Sequence, residues 1–214
     1  MLQILTQQSS IINDFLAELR DVSIQKDRAR FRKNVERIGE IMAYEVSKYL
    51  DRTEVSVQTP LGQHASMLQK EQPVLATVLR AGLALHHGFL NYFDHADNAY
   101  VSAYRKHTNL HEFEIVVEYL ATPSIEGRTL ILIDPMLATG RSMFLTYKAL
   151  LTKGKPSRVF VVSLIASEQG VEYIQKHMPN ADIFIAAVDP SLDENSYIVP
   201  GLGDAGDLCF GEKL

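Results

Sequence analysis

Tryptophan is absent from this chain, and cysteine occurs once, at Cys209. A single thiol excludes an internal disulfide framework and a cysteine-rich metal site, and it suits a reducing compartment. Without a histidine close by in sequence, such a thiol is more often a small buried apolar residue than a nucleophile. Long hydrophobic runs are missing too, and MLQILTQQSS has no basic stretch ahead of an apolar core, so neither a membrane span nor a secretory leader is expected. Nor is there an excess of basic charge: 21 Lys+Arg against 26 Asp+Glu leave a formal charge of −5. That balance speaks against non-specific binding to nucleic acid or to a membrane surface, and any bound phosphate must be held by a few local cations. The cytoplasm is the expected compartment.

What is present is ordinary for a soluble globular protein. With 214 residues, 46% hydrophobic and 22% charged, residues 1–214 are expected to form one domain with a substantial core. The stretch from Thr129 to Met143, TLILIDPMLATGRSM, organises the rest. Thr129 to Ile133 is an uninterrupted run rich in branched apolar side chains, as in a parallel strand buried on both faces, and it ends in the carboxylate of Asp134. Small and hydroxylated residues follow (Ala138, Thr139, Gly140, Ser142), and then Met143, Phe144, Tyr147, Leu150 and Leu151 recur at helical spacing. Loop N–H groups, the positive end of a helix dipole and two hydroxyls make an anion site there, with phosphate as its natural ligand. An ordinary strand-to-helix connection would look much the same, so this pattern alone favours a ligand only slightly.

Elsewhere, Ser10 precedes an apolar stripe (Ile11, Ile12, Phe15, Leu16, Leu19) that predicts a helix to Arg20. Phe31, Val35, Ile38, Met42, Val46 and Tyr49 predict a second, with Arg28, Arg30 and Arg32 on a solvated face, so helices occupy about residues 1–50. Thr53 to Gln58 alternates and reads as a half-buried or edge strand. VLATVLRAG, from Val74, is a second buried strand that runs straight into a helix, with Arg80 at its mouth, where it could pair with a carboxylate of the fold or with ligand phosphates. Tyr100 to Tyr104 and Glu114 to Leu120 read as two strands of a hairpin arm at 100–120, joined by an exposed, mobile polar segment with Arg105 at its start. His107 and His111 in that segment, and the adjacent His86 and His87, lack metal-binding geometry. Arg158 to Ala166 and Asp182 to Val188 are further strands around a helix bearing Val171, Ile174 and Met178. The alternation predicts an α/β fold: a central, mostly parallel sheet with helices on both faces and ligands at the carboxyl ends of the strands. The last 25 residues are too rich in Gly, Pro and Asp for a regular helix. Gly201, Gly203 and Gly206 match GxGxxG, but too little chain follows for the helix and acidic residue of a dinucleotide site. These glycines suggest instead a loop at 190–214 whose backbone closely approaches a planar ligand.

Four segments together resemble the uracil phosphoribosyltransferases, a branch of the type I phosphoribosyltransferases: DPMLATGRS at 134–142, LRAG at 79–82, YR at 104–105 and YIVPGLGDAGD at 197–207. The last segment is the specific one, since the phosphate motif alone would indicate only the superfamily. The resemblance implies transfer of ribose 5-phosphate from phosphoribosyl diphosphate (PRPP) to N1 of uracil, giving UMP and diphosphate. It implies that Arg80 and Arg105 face the diphosphate and that Ala138 to Ser142, following Pro135, Met136 and Leu137, cradle the 5′-phosphate. Asp134 would hold the ribose hydroxyls, with Asp204 against PRPP near the reaction centre; Asp204, Asp134 and Arg105 form the implied catalytic set. Main-chain groups of Ile198, Gly203 and Ala205 would read uracil, Tyr197 would pack beside the nucleotide, and Mg²⁺ would arrive with PRPP rather than in a protein cage. A homo-oligomer, dimer or tetramer, is implied as well. The 106–113 segment would be a hood over PRPP. Arg141, within the implied PRPP-binding stretch, stands where the family usually has glycine; it could add a phosphate contact or point into solvent, with solvent slightly favoured because backbone groups already satisfy the anion. A regulator that binds RNA on the same fold, and an enzyme for a purine or orotate, are the competing readings.

Overall fold

The computed structural model describes residues 1–109 and 112–213, with side chains described outside 103–118. In chain order the elements are β1 (Leu2–Ile4), α1 (Ile11–Arg20), α2 (Arg28–Ser47), β2 (Arg52–Thr59), β3 (Gly62–Gln69), β4 (Val74–Leu79), α3 (Gly82–Leu90), β5 (Asp97–Asn109) and β6 (Glu112–Ala121). They continue with β7 (Thr129–Ile133), β8 (Met136–Leu137), α4 (Arg141–Leu150), β9 (Arg158–Ser167), α5 (Glu168–His177), β10 (Asp182–Asp189), β11 (Ser191–Leu192), β12 (Ile198–Val199) and α6 (Ala205–Phe210).

The expected sheet is present, in the order β1-β10-β9-β7-β4-β5-β6 with β8 beside β9, and every pairing in it is parallel except β5 with β6. Alternate residues of each central strand point to opposite faces, so one strand serves two cores. In β7, Ile131 and Ile133 pack with α1, α2 and α3, whereas Leu130 and Leu132 pack with Met143, Leu150, Val171 and Ile174 of α4 and α5. Burial on both sides explains why β7 and β9 read as continuous apolar runs rather than alternating ones, and each such side chain contributes about 1.5–3 kcal/mol. α1 begins where expected: the Ser10 hydroxyl accepts from the Ile12 N–H, and the Asn13 side chain answers by accepting from the Ser10 N–H at 2.9 Å.

Four local expectations need correction. The strand predicted at 53–58 is half of an exposed two-stranded arm, β2 with β3, which packs on no core; Val55 and Val57 are 39% and 38% exposed. Its partner β3 (GQHASMLQ) contains no β-branched residue and so carried no strand signal. β1 is too short to register in a periodicity and exists because β10 templates it. The polar segment after Tyr104 was expected to be an exposed connection; instead the backbone stays paired across the hairpin from Arg105↔Ile115 to Asn109↔Glu112. Leu110 and His111 lie outside the described residues, as do the side chains of Arg105 and His107. Finally, the last 25 residues do hold a regular helix, α6, because Asp204 caps it by accepting from the Asp207 N–H at 3.0 Å. No helix among the described residues is long and apolar enough to cross a membrane.

Candidate active site

β7 and β4 are neighbours in the sheet and end side by side. Their carboxyl ends open into a cavity of about 800 Å³. A parallel sheet puts its strand ends, and the helix N-termini that follow them, on one edge, which is where such folds bind ligands. The residue after β7 is Asp134, a buried carboxyl whose one hydrogen bond among the described residues is a 3.4 Å contact from the Met136 N–H. Burial pushes its pKa up to about 7, the Met136 N–H works against that rise, and the nearby charge of Asp204 adds to it. At neutral pH this carboxyl therefore has little of its hydrogen-bonding capacity used inside the protein, and it gains by meeting the hydroxyls of a ligand.

The loop from Ala138 to Ser142 lines the cavity through Ala138, Thr139, Gly140 and Ser142. Gly140 has φ of +73°, the left-handed region, and turns the chain into α4 so that the Phe144 N–H bonds back to the Gly140 carbonyl at 3.0 Å. α5 supports this loop from behind. The Ser167 hydroxyl donates to the Ala138 carbonyl at 2.6 Å while accepting from the Gly170 N–H at 2.9 Å. Gly170 lies so close that a Cβ there would meet the Ala138 carbonyl oxygen at 2.3 Å. Neither residue stood out in the sequence, because their role depends on a strand and helix that pack here from 30 residues downstream.

Opposite lies the C-terminal loop. Tyr197, Ile198, Gly203, Asp204 and Ala205 all line the cavity. Side chains far away in sequence hold this loop in place. Arg20 forms a two-pronged pair with Asp189, both contacts at 2.8 Å, and donates to the Gly201 carbonyl at 2.8 Å. Asp189 also accepts from the Gly201 N–H at 3.0 Å, Gln25 donates to the Leu202 carbonyl at 3.2 Å, and Arg32 donates to the Cys209 carbonyl at 2.7 Å. Arg32 thus leaves the solvated face assigned to it, since its guanidinium satisfies a carbonyl at the end of α6. Cys209 is buried, and burial pushes its thiol up to about 12, which fits a structural residue and not a nucleophile.

The two open readings of Arg80 turn out to be compatible. Its guanidinium donates to Asp207 at 3.1 Å and to the Gly211 carbonyl at 3.0 Å, yet the residue lines the cavity, and its buried Nε has no partner among the described residues. Of the other expected residues, Met136 and Leu137 line the cavity, whereas Pro135 and Arg141 do not. The Pro135 carbonyl accepts from the Ile165 N–H at 3.0 Å, and Arg141 is exposed and lines a smaller recess that shares Thr139 and Ser196 with the cavity. The Arg105 side chain lies outside the described ones. Gly206 lines the cavity as the glycine loop implied, and Asn195, Ser196 and Lys213 line it without having been expected there. Among the described residues no cluster of three His, Cys, Asp or Glu side chains could hold a metal ion. His86 is buried against Tyr100, and burial lowers its pKa to about 4, so it is a neutral core histidine.

Comparison with known proteins agrees with this arrangement. The sequence profile of the family described as uracil phosphoribosyltransferase matches residues 6–212. A protein of Porphyromonas gingivalis named uracil phosphoribosyltransferase is 58% identical over 208 residues, covering 97% of this chain and 96% of that one. A solved protein of Aquifex aeolicus superposes with a TM-score of 0.87 at 28% identity, covering 99% of this chain and 98% of its own. A hypoxanthine phosphoribosyltransferase of Staphylococcus aureus, with a TM-score of 0.52 at 14% identity over 91% of this chain and 93% of its own, shares the fold alone. With a full-length profile match and a close relative of nearly the same extent, the chain belongs to the uracil phosphoribosyltransferase family.

Proposed function

We propose that the protein transfers the 5-phosphoribosyl group of PRPP to N1 of uracil, forming UMP and diphosphate in pyrimidine salvage. The observation that carries this reading is the meeting, in one cavity, of an anion-binding loop, two carboxylates and a glycine loop with backbone groups able to read a base. As the bond from C1 of the ribose to diphosphate breaks and the N1–C1 bond forms, positive charge develops on the sugar, negative charge on the leaving group, and the N1 proton departs. Such a reaction is accelerated by fixed charges that match this separation more closely than they match the ground state.

In the proposed roles, Asp134 binds the ribose hydroxyls and Asp204 lies against the sugar near the reaction centre. Arg80 and Arg105 face the diphosphate, and the 5′-phosphate rests on the backbone of Ala138 to Ser142, with Met136 and Leu137 as its walls. Pro135 shapes the entry to that loop through its own backbone bond. Arg141 stays in solvent, which its exposure supports. Uracil is read by main-chain groups of Ile198, Gly203 and Ala205, a mode that rejects other bases by leaving buried polar groups unpaired. Tyr197, 46% exposed at the cavity's edge, is free to cover the nucleotide. The donor set fits a Mg²⁺ ion that enters with its substrate, because Mg²⁺ usually binds through one or two carboxylates plus substrate phosphates, and Asp134 and Asp204 both line the cavity. When bound, that ion offsets charge on the departing diphosphate.

We further propose that residues 1–214 act as one domain, in the cytoplasm, and as a homo-oligomer, dimer or tetramer. The exposed β2–β3 arm supports the last point, since Met67 and Leu68 are 58% and 44% exposed on it. Labelled uracil, orotate and hypoxanthine, each supplied with Mg·PRPP, test the reaction. UMP should form from uracil alone, and no turnover of uracil would sink the assignment.

A further inference from the structure

The cavity is poor in positive charge for the substrate it is proposed to hold. Asp134 and Asp204 both line it, and among the described residues lining it the cations are Arg80 and Lys213. Arg80 is already shared, because its guanidinium meets Asp207 at 3.1 Å and the Gly211 carbonyl at 3.0 Å. Beside Arg105 and the Mg²⁺ proposed to arrive with PRPP, a diphosphate ester gains from a further cation close by.

Lys213 is the other cation, and its position follows from the same arginine. α6 ends at Gly211, whose φ of +92° turns the chain and whose N–H donates to the Asp207 carbonyl at 2.9 Å. Arg80 then holds the Gly211 carbonyl, so the backbone two residues before Lys213 is pinned to the diphosphate side of the cavity. Lys213 is exposed, its four-carbon stem lets the ammonium follow a ligand, and it forms no ion pair among the described residues.

We infer that Lys213 is a further substrate-binding residue, one that contacts the diphosphate of PRPP and of the released product through its ammonium group. The inference rests on the proposed reaction for its substrate, but its test does not need turnover. In this arrangement Arg80 acts twice, as a diphosphate ligand and as the clamp that keeps the 211–213 segment beside it.

Because Lys213 is solvated, its contribution is that of a screened charge contact. Lys213→Ala should raise the KM for PRPP and the Kd for inorganic diphosphate with Mg²⁺ by roughly fivefold, with the KM for uracil changed much less. Lys213→Arg should restore both values, and the difference between wild type and Lys213→Ala should shrink as salt is raised from low to physiological strength and beyond. Equilibrium titration of the purified protein with inorganic diphosphate reads the contact directly. Diphosphate affinity and PRPP KM both unchanged in Lys213→Ala would overturn the inference, as would an equal rise in the KM for uracil. A wild-type protein that binds diphosphate through Lys213 but makes no UMP would leave this contact standing and remove the proposed reaction instead.

Discussion

Two loops face each other across the cavity. The 134–142 loop leaves a strand buried on both faces, turns at a left-handed glycine and enters a helix, so its path follows mainly from its own segment, with Ser167 and Gly170 backing it. The 197–207 loop has only a two-residue strand pair and a six-residue helix of its own. Its backbone is held by Arg20, Gln25 and Arg32, which lie 177 to 181 residues away in sequence. One loop is therefore shaped mostly by its own segment and the other mostly by side chains distant in sequence. In the proposed reading, substitutions in α1 and α2 should disturb uracil binding and leave the 5′-phosphate contacts unchanged.

The largest expected effect falls on the local side, at Asp134. Asp134→Asn should weaken PRPP binding on the order of a hundredfold, the loss expected for charge-assisted hydrogen bonds to ribose hydroxyls. The same change should stabilise the free protein at alkaline pH. Folded Asp134 keeps its proton up to about pH 7, whereas the unfolded carboxyl releases it near 3.8, so the folded state binds more protons between those values. Stability therefore falls as pH rises through that window and levels off above it, and Asn escapes the loss. Thermal melts at pH 4 and pH 8 should show a higher Tm for Asp134→Asn at pH 8 only. Before any mutation, the affinity of the wild type for PRPP should rise as pH increases through 7, and Asp134→Asn should abolish that dependence.

Next in size is Asp204, which sits where the two regions meet. Asp204→Ala should lower kcat/KM at least about tenfold, on the order of 1.4 kcal/mol of transition-state stabilisation. Since Asp204 also caps α6, Asp204→Asn separates its two roles: it keeps the cap, and it should restore the melting temperature but not the rate. Near-normal turnover in both variants would remove this carboxylate from the reaction.

The contrast itself is tested by Arg20→Met. Loss of the pair with Asp189 should raise the KM for uracil about five- to tenfold and leave the KM for PRPP within about twofold, with a clear fall in melting temperature because Asp189 remains buried without its partner. Equal effects on both substrates would show that the two loops are not independently held.

Arg141→Gly is expected to change least. The side chain is exposed and does not line the cavity, so the KM for PRPP should move by less than about twofold, the range of a solvated surface charge. A large increase would bring Arg141 back to the phosphate.

How far the sequence could be read follows the same division. β7, Asp134 and the α4 turn were visible as a continuous apolar run, a terminal carboxylate and a helical period, because each signal lies within one segment. α1, α2, β4, β9 and β10 were visible for the same reason. The β2–β3 arm and β1 were not, since a strand without a core face or with three residues has no periodicity to detect. Ser167 reads locally only as the cap of α5, and neither its bond to the Ala138 carbonyl, nor Gly170 behind that loop, nor Lys213 at the cavity has a local signature.

By itself, then, the sequence determined the parallel α/β architecture, the phosphate-type loop after β7 and, by resemblance, the base loop near its end. Hydrophobic periodicity and motif spacing are properties of short segments, and these features are built from short segments. Only the tertiary structure decided that Arg20, Gln25 and Arg32 hold the base loop, that Arg80 pairs with Asp207 while still facing the cavity, and that Asp134 is buried deeply enough to retain a proton near neutrality. Each of those depends on which surfaces the folded sheet brings within hydrogen-bond reach and how much water it excludes, and neither quantity exists until the chain has packed.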